Sequence, residues 1–195
     1  MINQIKAYYE KEIAAIRSID FSEVDKAVLA IKAAYERGGT IYTFGNGGSA
    51  ATASHMVCDF NKGISESLDK KFNVICLNDN TSIIMAIAND RSYDDIFYAQ
   101  LENKLQAKDL VIAISGSGNS MNIIKAVQYA KTVGCKVVGM TGYSGGKLKE
   151  LADYHMHVPI DDMQIAEDLH LSFNHMMYRV LADQFSEEGK GADFF

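Results

Sequence analysis

The sequence predicts an α/β chain: a doubly wound parallel sheet of five strands preceded by two helices. Three observations carry that expectation. β-rich apolar runs recur five times, helical periodicity fills the intervals between them, and the only proline, Pro159, follows the last run and interrupts none. A chain of 195 residues with 48% hydrophobic and 23% charged residues can bury a substantial core and is neither a disordered tail nor a membrane protein.

In chain order, Ile2, Ile5, Tyr9, Ile13 and Ile16 recur at helical spacing, as do Val24, Val28, Ile31 and Tyr35 after a cap expected at Ser22. Gly38-Gly39 ends the second helix. Strands are predicted near 40–44 (TIYTF), 72–77 (FNVICL), 109–114 (DLVIAI), 136–141 (KVVGMT) and 154–158 (YHMHV), all reading as buried and parallel. Helices are predicted near 49–62, 81–103, 119–133, 145–152 and 165–185. No linker, repeat or low-complexity tract divides the chain. One domain over 1–195 is expected, with a helical pair at 1–38, a core at 40–185 and a polar tail at 186–195.

Charge and cysteine usage narrow the partners. Nineteen Lys and Arg against 25 Asp and Glu give a net charge of -6, which offers no footprint for nucleic acid or an anionic membrane. The three cysteines, Cys58, Cys76 and Cys135, lack the spacing of a zinc knuckle or redox pair, and Cys76 and Cys135 read as buried free thiols. With no secretory leader read in MINQIKAYYEKEIAAIRS, a reducing cytoplasmic location is expected.

In open α/β sheets ligands bind beyond the carboxyl ends of the strands, so the loops there matter most. The first strand runs into Gly45-Asn46-Gly47-Gly48-Ser49-Ala50 and then a helix. Glycines let backbone N–H groups approach an anion, and the helix start adds unpaired donors. The same six residues match a dinucleotide fingerprint, with Asp79 as a ribose ligand, so sugar phosphate, dinucleotide and tight packing all stay open on this loop alone. The third strand ends in a second small-residue loop, Ser115-Gly116-Ser117-Gly118-Asn119-Ser120. Three hydroxyls and backbone donors suit one phosphate monoester, whereas a dinucleotide site needs a single glycine loop. The pairing favours a phosphosugar and no nucleotide cofactor.

GNGGSA, VIAISGSGNS and the Gly142-Tyr143-Ser144-Gly145-Gly146 turn together resemble the sugar isomerase (SIS) domain family. With His55 and its following carboxylate, AIAND at 86–90 and His175 in the terminal helix, the order of motifs looks like that of phosphoheptose isomerases, which convert sedoheptulose 7-phosphate to D-glycero-D-manno-heptose 7-phosphate. The resemblance implies a three-layer sandwich with flavodoxin-like strand order. It also implies a homotetramer with active sites between subunits, and a divalent metal, zinc by preference. By motif, Asn46, Gly47, Gly48, Ser49, Asn89, Asp90, Ser115, Gly116, Ser117 and Ser120 would contact the substrate. His55, Asp59, Glu167 and His175 occupy the family's metal and acid–base positions. Three departures stand out: Asp59 replaces a Glu, Glu167 replaces a Gln, and Lys62-Gly63 stands where such enzymes usually place an arginine.

Read from the residues themselves, His55 and Asp59 are four apart and share a helix face, which suits a metal ion or an acid–base pair. Glu167 and His175 are separated by about 12 Å of helical rise, so an ideal helix strains their convergence. His170 reads as a core or interface histidine, and His155 and His157 as structural. The expected chemistry is a C1–C2 proton transfer through a cis-enediol(ate), with Asp59 or Glu167 as base and His175 shuttling protons at oxygen. The alternatives are a non-catalytic SIS module that binds a phosphosugar or protein, or an isomerase of another sugar phosphate.

Overall fold

The computed structural model describes residues 1–190. Two helices open the chain, α1 (Ile2–Arg17) and α2 (Phe21–Glu36), followed by strand β1 (Ile41–Gly45) and helix α3 (Gly48–Val57). Next come β2 (Val74–Cys76), α4 (Thr81–Asp90), α5 (Tyr98–Leu101), β3 (Leu110–Ser115) and α6 (Met121–Val133). The series closes with β4 (Lys136–Thr141), α7 (Gly146–Leu151), β5 (Tyr154–His157) and α8 (Met163–Glu187). No helix among the described residues is long and apolar enough to cross a membrane.

The five strands are parallel in the order β2-β1-β3-β4-β5, the flavodoxin-like order. Strand alternation divides the core into two layers. Ile41, Ile112 and Ile114 pack against α2, α3 and α8, while Tyr42, Phe44, Val111 and Ala113 pack against α5, α6 and Leu148 of α7. All of β3 is buried, as a central strand covered on both faces must be. The pairing of Ile41 with Leu110 through Gly45 with Ile114 brings β1 and β3 to their ends side by side.

Several boundaries differ from those expected. The cap of α2 is Asp20, not Ser22: its Oδ1 accepts from the Ser22 N–H at 2.9 Å and the Glu23 N–H at 3.4 Å. The continuous helix predicted over 81–103 is broken after Asp90, where Arg91 and Ser92 leave helical geometry before a short turn at Tyr93–Asp95. The helix predicted over 49–62 stops as an α-helix at Val57 and widens into a π-helical turn, Cys58–Gly63. Ser186 and Glu187, expected in the tail, extend α8, and 191–195 lie outside the described residues.

Candidate active site

Strand order places the site. β1 and β3 are neighbours whose following helices, α3 and α6, lie on opposite faces of the sheet, so their carboxyl-end loops diverge and open a crevice. Gly47 turns the first loop into α3 with φ +56°, a conformation open to glycine and strained for other residues. A Cβ on Gly48 would collide with the Glu167 carboxylate, so α8 packs directly on that backbone. In the second loop the Gly118 N–H donates to the Ser115 carbonyl and hydroxyl, both at 3.1 Å. Asn119 accepts from the Lys147 N–H at 3.0 Å and ties the loop to the start of α7. Ser120 begins α6 without spending its hydroxyl on a cap.

The two loops enclose a cleft of about 110 Å³ lined by Asn46, Ser49, Ser115, Gly116, Ser117 and Ser120, with Met163 and Glu167 of α8 across from them. Six of the ten residues expected to contact substrate therefore line one cavity, and Gly47 and Gly48 lie within its glycine loop. Asn89 and Asp90 do not join them. They sit exposed at the end of α4, where the Asn89 amide donates to Asp90 at 2.8 Å. Asp79, the residue proposed for a ribose, accepts from the Ser54 hydroxyl at 2.7 Å on the side of α3.

Three residues of the cleft's frame escaped the sequence reading. Asn46 and Asn122 exchange amide hydrogen bonds at 3.0 and 2.8 Å, and the Tyr93 hydroxyl donates to Asn46 Oδ1 at 3.0 Å. Asn78 extends the sheet pattern past its last strand pair, accepting from the Gly45 N–H at 3.2 Å and donating to the Gly45 carbonyl at 2.9 Å. Asn122 left one signal: it heads the buried row continued by Ala126 and Ala130, and a polar residue on an apolar face calls for a partner.

At the far end of α3 a second cluster forms. His55 Nε2 lies 3.0 Å from His175 Nε2 and 3.3 Å from Asp59 Oδ2, and His175 Nε2 is 3.8 Å from the same oxygen. The π-helical turn carries Asp59, and Asn174 of α8 donates to its Oδ2 at 2.7 Å. Glu167 is not part of this cluster. Eight residues before His175 on a continuous helix, it lies at the cleft, so three of the four expected metal-position residues meet and the fourth does not. His170 is wholly buried on α8, and desolvation pushes its imidazole down to about 4, only partly offset by the Thr141 backbone. Burial also lowers the pKa of His157.

The three clustered groups fit a divalent cation. Ligands 2.0–2.1 Å from a tetrahedral zinc stand about 3.3 Å apart, and the observed separations of 3.0, 3.3 and 3.8 Å bracket that value. Two imidazoles and one carboxylate make a mixed set with room for a further ligand, the pattern of catalytic rather than closed structural sites.

Comparison with known proteins accords with this geometry. Residues 6–142 match the model of the SIS domain. The "Probable phosphoheptose isomerase" of Thermoplasma volcanium is 38% identical over 174 residues, 89% of this chain and 88% of that protein. The phosphoheptose isomerase of Aliarcobacter butzleri is 34% identical over 91% of this chain and 94% of its own. The solved phosphoheptose isomerase from Neisseria gonorrhoeae superposes with a TM-score of 0.84 at 28% identity, covering 93% of this chain and 98% of that one. By sequence, by fold and by the paired loops that build its cleft, the chain belongs to the SIS domain family and, within it, to the phosphoheptose isomerases.

Proposed function

We propose that this protein is an aldose–ketose isomerase that converts sedoheptulose 7-phosphate to D-glycero-D-manno-heptose 7-phosphate. One observation carries the proposal: the same two helices, α3 and α8, border both the small-residue cleft and the imidazole–carboxylate cluster. A phosphate gripped at one end of these helices leaves the rest of an open-chain sugar lying along them.

The serine loop holds the monoester through the Ser117 and Ser120 hydroxyls and the loop backbone, and that binding fixes the reactive carbons. A carboxylate, Asp59 or Glu167, is the base that takes the proton from C1 of the ketose and returns it to C2, passing through a cis-enediol(ate). Asp59 stands with the two imidazoles at the carbonyl end of the proposed substrate, and Glu167 lines the cleft that receives the phosphate. His175, exposed at its imidazole, moves the proton between the C1 and C2 oxygens by the ring nitrogen that it does not turn toward His55 and Asp59. His55, Asp59 and His175 would hold a divalent ion, zinc by ligand type. Bound there, it supplies a positive charge to polarise the carbonyl oxygen.

The working unit is proposed to be a homotetramer with sites at subunit interfaces, in the cytoplasm. Support for assembly comes from α1, where only Ala15 is buried, and from α4, where no residue is. A reducing location is supported by three free cysteines, two of them buried.

Incubating the protein with sedoheptulose 7-phosphate in D2O and following it by NMR tests the reaction. An aldose product labelled at C2 is expected, and His175→Ala should cut kcat by about 100-fold or more while leaving KM nearly unchanged. No product from the wild-type protein would favour the non-catalytic module, and unchanged turnover in His175→Ala would remove that residue from the mechanism.

A further inference from the structure

We propose that Asn174 is a positioning residue that sets the Asp59 carboxylate for its partnership with His55 and His175. The inference deepens the metal-assisted isomerase reading and rests on it for its consequence, though the contact itself stands apart from it.

Asp59 has two reasons to need a hold. It lies in the π-helical turn, outside the regular α-helical ladder of α3, and a carboxylate's final torsion is broad. The Asn174 amide supplies that hold at 2.7 Å, donating to Oδ2, the same oxygen that lies 3.3 Å from His55 and 3.8 Å from His175. A charge-assisted bond of that length restrains where Oδ2 lies. Because Asn174 directly precedes His175 on α8, one rigid helix delivers both the amide and an imidazole to the cluster.

A purely architectural role explains Asn174 poorly. The residue is fully buried, and its Oδ1 has no hydrogen-bond partner among the described residues. A buried amide with an idle carbonyl costs stability that a leucine of similar size would not, so what remains to account for it is the single bond to Asp59.

Zinc affinity of the metal-free protein, measured by calorimetry, tests this together with kcat and KM. Asn174→Leu should leave thermal unfolding of the apo protein unchanged or raised, and weaken zinc binding about 10- to 100-fold. It should lower kcat with little change in KM. In an Asp59→Ala background the same substitution should add no further loss, since the group being positioned is gone. Should Asn174→Leu fail to fold, Asn174→Ala replaces it in the same cycle. A zinc affinity within about twofold of wild type, or an equal loss with and without Asp59, would overturn the proposal.

Failure of the parent reading looks different. If the wild-type protein takes up no zinc, the metal falls and Asn174 is judged on kcat alone, an unchanged value counting against it. The Asn174 side-chain amide resonance reports the contact without metal or substrate. It should move on Asp59→Ala, and a stationary signal would sink the idea whatever the activity.

Discussion

His170 is neutral in the folded protein because burial opposes its charge, and this makes stability depend on pH in a definite direction. Its folded value of about 4 lies below the ordinary 6.5, so between those values the unfolded chain takes up a proton that the folded one refuses. Stability from this residue is complete above about pH 6.5 and is lost as pH falls toward 4, by on the order of 3 kcal/mol. Urea unfolding from pH 7 to 4 should show that decline in wild type and a flatter one in His170→Leu. At this scale the sequence was informative about what chain spacing or motif can reveal. His55 and Asp59 were legible as a pair four apart, and His170 as a core or interface histidine, of which the fold shows the core. Asn174 and Asn122 were not, since their partners lie 115 and 76 residues away and only packing brings them together.

Among the elements, the serine loop shows how tightly backbone packing governs the cleft. Gly118 has φ +68° and a Cβ there would strike the Gly145 carbonyl, so both conformation and space require glycine. Gly118→Ala should destabilise the fold by about 2 kcal/mol or more and raise KM for the sugar phosphate, because the loop must shift away from α7. Thermal melting and steady-state kinetics would check it, and an unchanged Tm would show that the loop accommodates a methyl. Strands β1, β3 and β4 were readable because buried parallel strands are mostly apolar, and the pairing of the two loops followed from them. The break after Asp90 was unreadable, since Arg91-Ser92 carries neither Gly nor Pro to mark it. The π-helical turn, which carries Asp59, was equally silent.

For the molecule as a whole, the opening helix is tethered but not absorbed. Tyr8 donates to Asp168 at 2.5 Å and Lys11 to Asp162 at 2.6 Å, which fixes α1 against α8. Meanwhile Ile2, Ile5, Tyr9 and Ile13 are 67%, 52%, 59% and 49% exposed, an apolar stripe left uncovered by the described residues. Ile5→Lys with Ile13→Lys should convert the proposed tetramer to smaller species by sedimentation while changing monomer stability by under about 1 kcal/mol. An unaltered sedimentation coefficient would exclude this face from assembly. The amphipathic spacing was plain in the sequence, but which way the stripe pointed depended on how α1 docks.

The sheet order has one further effect. Of its five strands, β1 and β3 stand inside, whereas the short β2 and β5 form the margins. Fraying at those margins leaves the roots of both ligand loops intact, so amide hydrogens in β1 and β3 should exchange among the slowest in the protein. The cleft is thereby hung from the part of the molecule that opens last.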